Sequence, residues 1–283
     1  LPLKQLVLVS LAGLFAPGLL VVGWEHLARR INAPECLEER STLPVLAEVP
    51  RLPSQTAAGG TLPRNAQQPM RMFEESIDAL ATSLLLAGDR GEIKVVAITS
   101  AMANEGKTSV ASRLAVSIAR ASGEPTLLID GDMRSPDVHH HFHVDNEPGL
   151  AEVLKGARAA NEAILADAEQ RFHVLPAGRL SGNPHSLLGA GRLDSLLEDL
   201  RARYRYIVLD TPPVLAAGET LLLSKAADAC LICAMQDASR MSQVEKARAR
   251  LESVGCRIEG IVLNGVPVRH YAYRYGSYAY ANT

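Results

Sequence analysis

KVVAITSAMANEGKTS, residues 94–109, joins two signals in one short stretch. Its first half is a β-branched, apolar run of the kind that forms a buried strand. Its second half, Ala101 to Thr108, follows the pattern G-x-x-x-x-G-K-[ST], with Ala101 in place of the first glycine. Such a loop turns backbone N–H groups and a helix N-terminus toward phosphate oxygens. Lys107 supplies a positive charge for β- and γ-phosphates, and Thr108 a hydroxyl for Mg²⁺. Asn104 is the non-glycine type that best tolerates positive φ, so it suits a second position often filled by glycine. Asn104, Glu105, Gly106, Lys107, Thr108 and Ser109 are the candidate nucleotide contacts. A helix start arising by chance is the competing reading, but Gly-Lys-Thr directly after an apolar strand weakens it.

Working outward, strand and helix alternate. Lys107 to Ala121 reads as a helix with Val110, Leu114, Ala115 and Ile118 on one face. TLLID (126–130), FHVLPAG (172–178), YIVLD (206–210), ACLICAM (229–235) and IEGIVLNGV (258–266) read as strands. Segments 72–88, 149–156, 192–204 and 242–255 read as helices. Short apolar strands separated by helices predict an α/β fold of the P-loop NTPase class, a mostly parallel sheet covered on both faces. Ligands of such sheets bind at the carboxyl ends of the strands. Two of those ends carry acids. D130-G-D132-M-R134 places two carboxylates at i and i+2, and D210-T-P-P213 a third. A lone Asp at a strand end is usually a cap. Three beside a phosphate loop predict a site that holds Mg²⁺ and activates an attacking oxygen.

The whole chain sets the frame. It has 283 residues, 47% hydrophobic and 21% charged, with net charge −2. This excludes a disordered polyampholyte, a collagen-like fibre and a disulfide-stapled miniprotein, and offers no basic excess for nucleic acid. Cys36, Cys230, Cys233 and Cys256 are too few and scattered for a disulfide framework. Leu6 to Trp24 is uncharged over 19 residues, about 28 Å as a helix, which fits one transmembrane span. Lys4 precedes it and Arg29 and Arg30 follow, so residues after about 30 are expected in the cytoplasm. A signal peptide or a buried soluble helix are the rivals. Residues 1–31 are thus read as the span and its flanks. Residues 32–70, with six of the sixteen prolines, read as a largely extended linker with one short helix after Pro34. Residues 71–267 form the catalytic domain and 268–283 a tail. The start at Leu1 suggests a fragment.

That tail, ending in Arg269 to Thr283, holds Tyr271, Tyr273, Tyr275, Tyr278 and Tyr280, five of seven tyrosines, and no acid follows Pro267. An aromatic edge strand is the bland explanation, but the tail lacks apolar company for it. Exposed phenols near a chain end are accessible phosphoacceptors. Five phosphates would take the tail from about +2 to about −6 to −8. The expected behaviour is docking of the unmodified tail in a neighbouring subunit's acidic site and expulsion after modification.

With these residues in view, the chain resembles the bacterial protein-tyrosine kinases (BY-kinases) of the polysaccharide co-polymerase type. LPVLAEVP in the linker, ITSAMANEGKTS as Walker A, LLIDGDMRSP as the second Walker motif and YIVLDTPPV as Walker B carry the likeness. FHVLPAG, GNPHSLL and GIVLN add to it. The resemblance implies ATP and Mg²⁺, with Lys107 and Thr108 on phosphate and metal, Asp132 and Asp210 at the metal, and Asp130 the base toward a tyrosine hydroxyl. The residues themselves do not divide the roles of Asp130 and Asp132. It also implies autophosphorylation between copies at the bacterial inner membrane. Its further partners would be a periplasmic and membrane part before Leu1, a polysaccharide export machinery under its control, and a phosphotyrosine phosphatase. The family's E-x-x-R-x-x-R oligomerisation pattern falls on Glu75, Asp78 and Ala81, so both arginines are missing.

Other features read as bland. His139, His140, His141 and His143 suggest a solvated loop rather than a metal site. Cys230 and Cys233 sit at i and i+3 of a strand, on opposite faces, as core residues. Arg201, Arg203 and Arg205 suggest a solvated helix end, and Asn264 an approach to adenine. Two alternatives stand beside the kinase. One is a partitioning or division-site ATPase, whose signature lysine would fall at Met102. The other is a catalytically weak scaffold for polysaccharide export.

Overall fold

The computed structural model describes residues 30–38, 41–52, 64–88, 93–166, 171–189 and 191–276. The apolar stretch Leu6–Trp24, Tyr278 and Tyr280 lie outside these residues. Among the described residues no helix is long and apolar enough to cross a membrane.

Among the described residues eight strands form one sheet: β1 (Val45–Pro50), β2 (Val95–Ser100), β3 (Thr126–Asp130), β4 (Leu165–Ala166), β5 (Phe172–Leu175), β6 (Tyr206–Asp210), β7 (Ala229–Met235) and β8 (Ile258–Val266). Their order is β1-β8-β7-β2-β6-β3-β5-β4. All neighbours pair in parallel except β4, which runs antiparallel to β5. β2, β3 and β6 are buried along their full length. That is why they read as unbroken apolar runs rather than alternating ones.

The helices are α1 (Glu35–Glu38), α2 (Arg64–Gly88), α3 (Lys107–Ser122), α4 (Val138–Phe142), α5 (Leu150–Leu154), α6 (Ala160–Ala163), α7 (Pro184–Leu188), α8 (Arg192–Arg201), α9 (Thr220–Ala226), α10 (Met241–Ser253) and α11 (Val268–Tyr275). One face of the sheet packs on α2 and α3 through Phe73, Ile77, Leu80, Val110 and Leu114. The other face packs on α5, α7 and α8 at one half and on α10 at the other. Cys233 belongs to the first face and Cys230 to the second, as their spacing predicts, and both are free thiols.

Three stretches depart from the sequence reading. Val45–Pro50, expected as part of an extended linker, joins the sheet as β1 beside β8, and α2 starts at Arg64 rather than near Met72. Edge strands tolerate proline, so Pro44 and Pro50 bracket a strand that composition hides. The histidine loop is the short helix α4, with Phe142 against Phe172 at 5.1 Å and His141 3.5 Å from Asp137. The tail begins as helix α11, against β1, rather than as free chain.

At the altered oligomerisation pattern, Asp78 pairs with Arg120 of α3 at 2.6 Å, Ala81 is buried and Glu75 is exposed. Arg201 pairs with Asp228 at 2.8 Å instead of ending in solvent.

Candidate active site

The loop between β2 and α3 wraps the carboxyl end of the central strand. Asn104 takes φ 64°, the left-handed conformation expected of it. Gly106 takes φ 81°, and a Cβ there would lie 1.7 Å from Nδ2 of Asn264, so only glycine fits. Ala101, in contrast, is fully buried at an unstrained position among its core neighbours. The missing first glycine is therefore absorbed by packing.

Glu105 faces inward. Its carboxylate accepts the Met102 N–H at 2.7 Å and the Ser239 hydroxyl, and burial pushes its pKa up. Its main chain is thus what it offers to phosphate. Asn264 packs under the loop: its amide donates to the Glu105 carbonyl at 3.4 Å, and its oxygen accepts Gly265 N–H at 2.9 Å. It buttresses the loop from below.

Register brings the acids together. Asp130 and Asp210 end β3 and β6 as direct neighbours. Lys107 Nζ lies 2.9 Å from Asp132 Oδ2 and 3.3 Å from the Thr108 hydroxyl. Burial works against the ammonium charge, yet Asp210, Asp132 and Asp130 together hold its pKa above the ordinary lysine value.

The three carboxylates differ in their partners. Asp130 accepts N–H groups from Asp132 (3.0 Å), Asp137 (3.3 Å) and Val138 (3.1 Å). Burial and then the Asp210 charge nonetheless raise its pKa to about 8. Asp132 accepts the Ser135 N–H at 3.1 Å and faces the cleft. Asp210 is fully buried, and among the described residues neither of its oxygens makes a full hydrogen bond, although the Thr108 hydroxyl stands close enough to act on its charge. Burial raises its pKa to about 6, against the opposing Lys107 charge and the Thr108 hydroxyl. Bare buried carboxylate oxygens beside a hydroxyl and an ion-paired aspartate are a hard-oxygen donor set that fits Mg²⁺.

In front of these groups lies an open cleft of about 740 Å³, lined by Asn104, Lys107, Thr108, Ser109, Asp132 and Arg134 among others. Two parts of its frame escaped the sequence reading. Arg134 is clamped by buried Glu219, which also lies 3.5 Å from His185 Nε2. Burial alone would raise the Glu219 pKa, but the Arg134 bond reverses it and holds the carboxyl below its ordinary range. Ser239 anchors Glu105 from the β7–α10 loop. Arg134 was visible in DGDMR without a role. Glu219 and Ser239 sit 85 and 134 residues from their partners, and no local pattern announces them.

Comparison with known proteins agrees with this geometry. A family described as an AAA domain matches residues 93–255. Tyrosine-protein kinase YwqD of Bacillus subtilis is 31% identical over 221 residues, 77% of this chain and 93% of that protein. The chain is a member of the bacterial protein-tyrosine kinase family.

A second BY-kinase, tyrosine-protein kinase etk of Escherichia coli, is 32% identical over 279 residues, 93% of this chain and 38% of that protein. Its solved kinase domain superposes with a TM-score of 0.75 at 33% identity, covering 84% of this chain and 96% of that one. The chain spans 37–38% of the length of the longer curated BY-kinases it matches. The septum site-determining protein MinD of Pyrococcus horikoshii, solved with Mg-ADP, covers 64% of this chain at a TM-score of 0.53 and 21% identity, a likeness of fold alone.

Proposed function

We propose that this chain is the kinase part of a membrane-anchored BY-kinase that transfers the γ-phosphoryl group of ATP to tyrosines of its own tail and acts in polysaccharide polymerisation and export. The observation that carries the reading is the bare Asp210 carboxylate next to the Lys107–Asp132 ion pair, under a loop bent to hold phosphate. The backbone of Asn104 to Thr108 receives the phosphates. Lys107 neutralises charge on the transferred group. Thr108, Asp132 and Asp210 are the residues that would hold Mg²⁺, which when bound spreads the negative charge of the β- and γ-oxygens. The phenol oxygen bonds to the γ-phosphorus as the β,γ-bridging bond breaks. The phenolic proton passes to a carboxylate oxygen of the Asp130–Asp132 pair, which is joined through the Asp132 N–H to Asp130 bond.

The family likeness supports the export role, and the Leu6–Trp24 stretch with its flanking arginines supports placement in the bacterial inner membrane. Phosphotyrosine mapping after incubation with ATP and Mg²⁺ tests the chemistry. Wild type is expected to carry phosphate on the tail and Lys107→Met none. A Lys107→Met chain with an intact tail, mixed with an active tailless chain, is expected to become labelled, showing transfer between copies. A tail that stays unmodified while nucleotide binds and is hydrolysed would return the chain to the ATPase alternative.

A further inference from the structure

The tyrosines of α11 are not equivalent. Tyr273 points into solvent at 93% exposure. Tyr271 packs against the hydrophobic core, and its ring lies 4.9 Å from that of Tyr275. Tyr275 donates its hydroxyl proton to Glu48 Oε1 at 2.9 Å, and Arg274 binds the same carboxylate at 2.8 Å. Glu48 is buried in β1, so these two side chains are what answer its charge.

We infer that Glu48 latches α11 to the sheet edge through Tyr275 and Arg274, so that Tyr273 is the first phosphoacceptor of this helix and Tyr275 a late one. This rests on the kinase reading above and adds an order to it. To act as a nucleophile, Tyr275 must break its bond to a carboxylate, leave Tyr271 and reach another copy's Asp130–Asp132 turn. Tyr273 begins free. A hydrogen bond to a charged acceptor is strong enough to slow the Tyr275 reaction about tenfold relative to Tyr273. Burial and Glu48 also push the Tyr275 pKa up to about 12. Once phosphorylated, Tyr275 has lost the donor proton and carries roughly −1.5 to −2 charges, so it cannot return to Glu48.

The test has two arms on the full chain. In time-resolved phosphotyrosine mapping, wild type is expected to label Tyr273 about ten times faster than Tyr275, and Glu48→Ala to bring the two rates within about twofold. Arg274→Gln, which leaves β1 untouched, is expected to narrow the ratio in the same direction. Equal rates in wild type, or a ratio that neither variant moves, overturns the inference. In the second arm, amide hydrogen exchange over residues 268–275 is measured in a Lys107→Met background, without any kinase activity. Glu48→Ala is expected to speed exchange there several-fold, and unchanged exchange overturns the latch. If no tail tyrosine is ever labelled while exchange responds to Glu48→Ala, the kinase reading falls and the dock itself stands.

Discussion

The ends of β3 and β6 hold the same residue type, at the same depth, in the same register, and treat it in opposite ways. Asp130 receives three backbone N–H groups and Asp210 none. A buried carboxylate saturated with amides shapes the chain that supplies them, here the turn from Gly131 to Val138. A buried carboxylate left bare carries an unmet need for a cation. The local chain decides which is which. After Asp130 it doubles back within eight residues and starts α4, whereas after Asp210 come Thr211, Pro212 and Pro213, and prolines have no N–H to give.

The largest effect should come from the bare partner. Asp210→Asn is expected to lower tail phosphorylation by at least about 10³-fold, since a metal-centred charge clamp is worth several kcal/mol in the transition state. Thermal stability of the nucleotide-free protein should not fall, because the costly buried charge is removed and no backbone N–H is left without its acceptor. Loss of folding in this variant would erase the distinction between the two acids.

Asp130→Asn should break the comparison from the other side. One of its oxygens becomes an NH₂ group aimed at N–H donors, which costs about 1–3 kcal/mol of stability. Phosphorylation should fall by about 10²-fold, within the range for removing a general base. Asp132→Asn beside it touches the turn less: the three N–H groups accepted by Asp130 stay in place and only the Ser135 contact is at stake, while the charged partner of Lys107 is removed. Unfolding midpoints and single-turnover labelling of the three variants give both readouts.

How much of this was legible beforehand depends on distance along the chain. The central strands, the loop and the left-handed Asn104 were readable because each signal is local: an apolar run, a spacing, a residue type. The opposite placement of Cys230 and Cys233 followed from strand geometry alone. That Asp130 would be saturated with amides and Asp210 left bare was not readable, nor was the division of roles between Asp130 and Asp132. The first depends on which backbone N–H groups return to the carboxylate after folding. Glu219, Ser239 and Glu48 were silent for the same reason, each meeting its partner across 85 or more residues. β1 was masked by prolines that suit an edge, and α11 by a composition of Tyr, Arg and Ala that says little until Glu48 is beside it.

The smallest effect is also the one that measures the comparison most directly. Both acids have pKa values above those of an unfolded chain, about 4, with Asp210 near 6 and Asp130 near 8. Between those limits the folded state binds more protons than the unfolded one. Linkage then requires that this contribution to stability be fully present below about pH 4 and lost as pH rises toward 8. Other carboxylates slope the opposite way, so the informative quantity is the melting temperature of a variant minus that of wild type, followed from pH 4.5 to 8.5. For Asp130→Asn the difference should climb across the whole window, starting from a negative value set by the lost amide bonds. For Asp210→Asn it should climb early, up to about pH 6, and climb again toward pH 8, because removing Asp210 also removes the like charge that helps hold the Asp130 pKa up. A difference that stays flat for both variants would mean that the two buried acids do not titrate between pH 4 and 8. The contrast between a saturated and a bare carboxylate would then be one of geometry without energy.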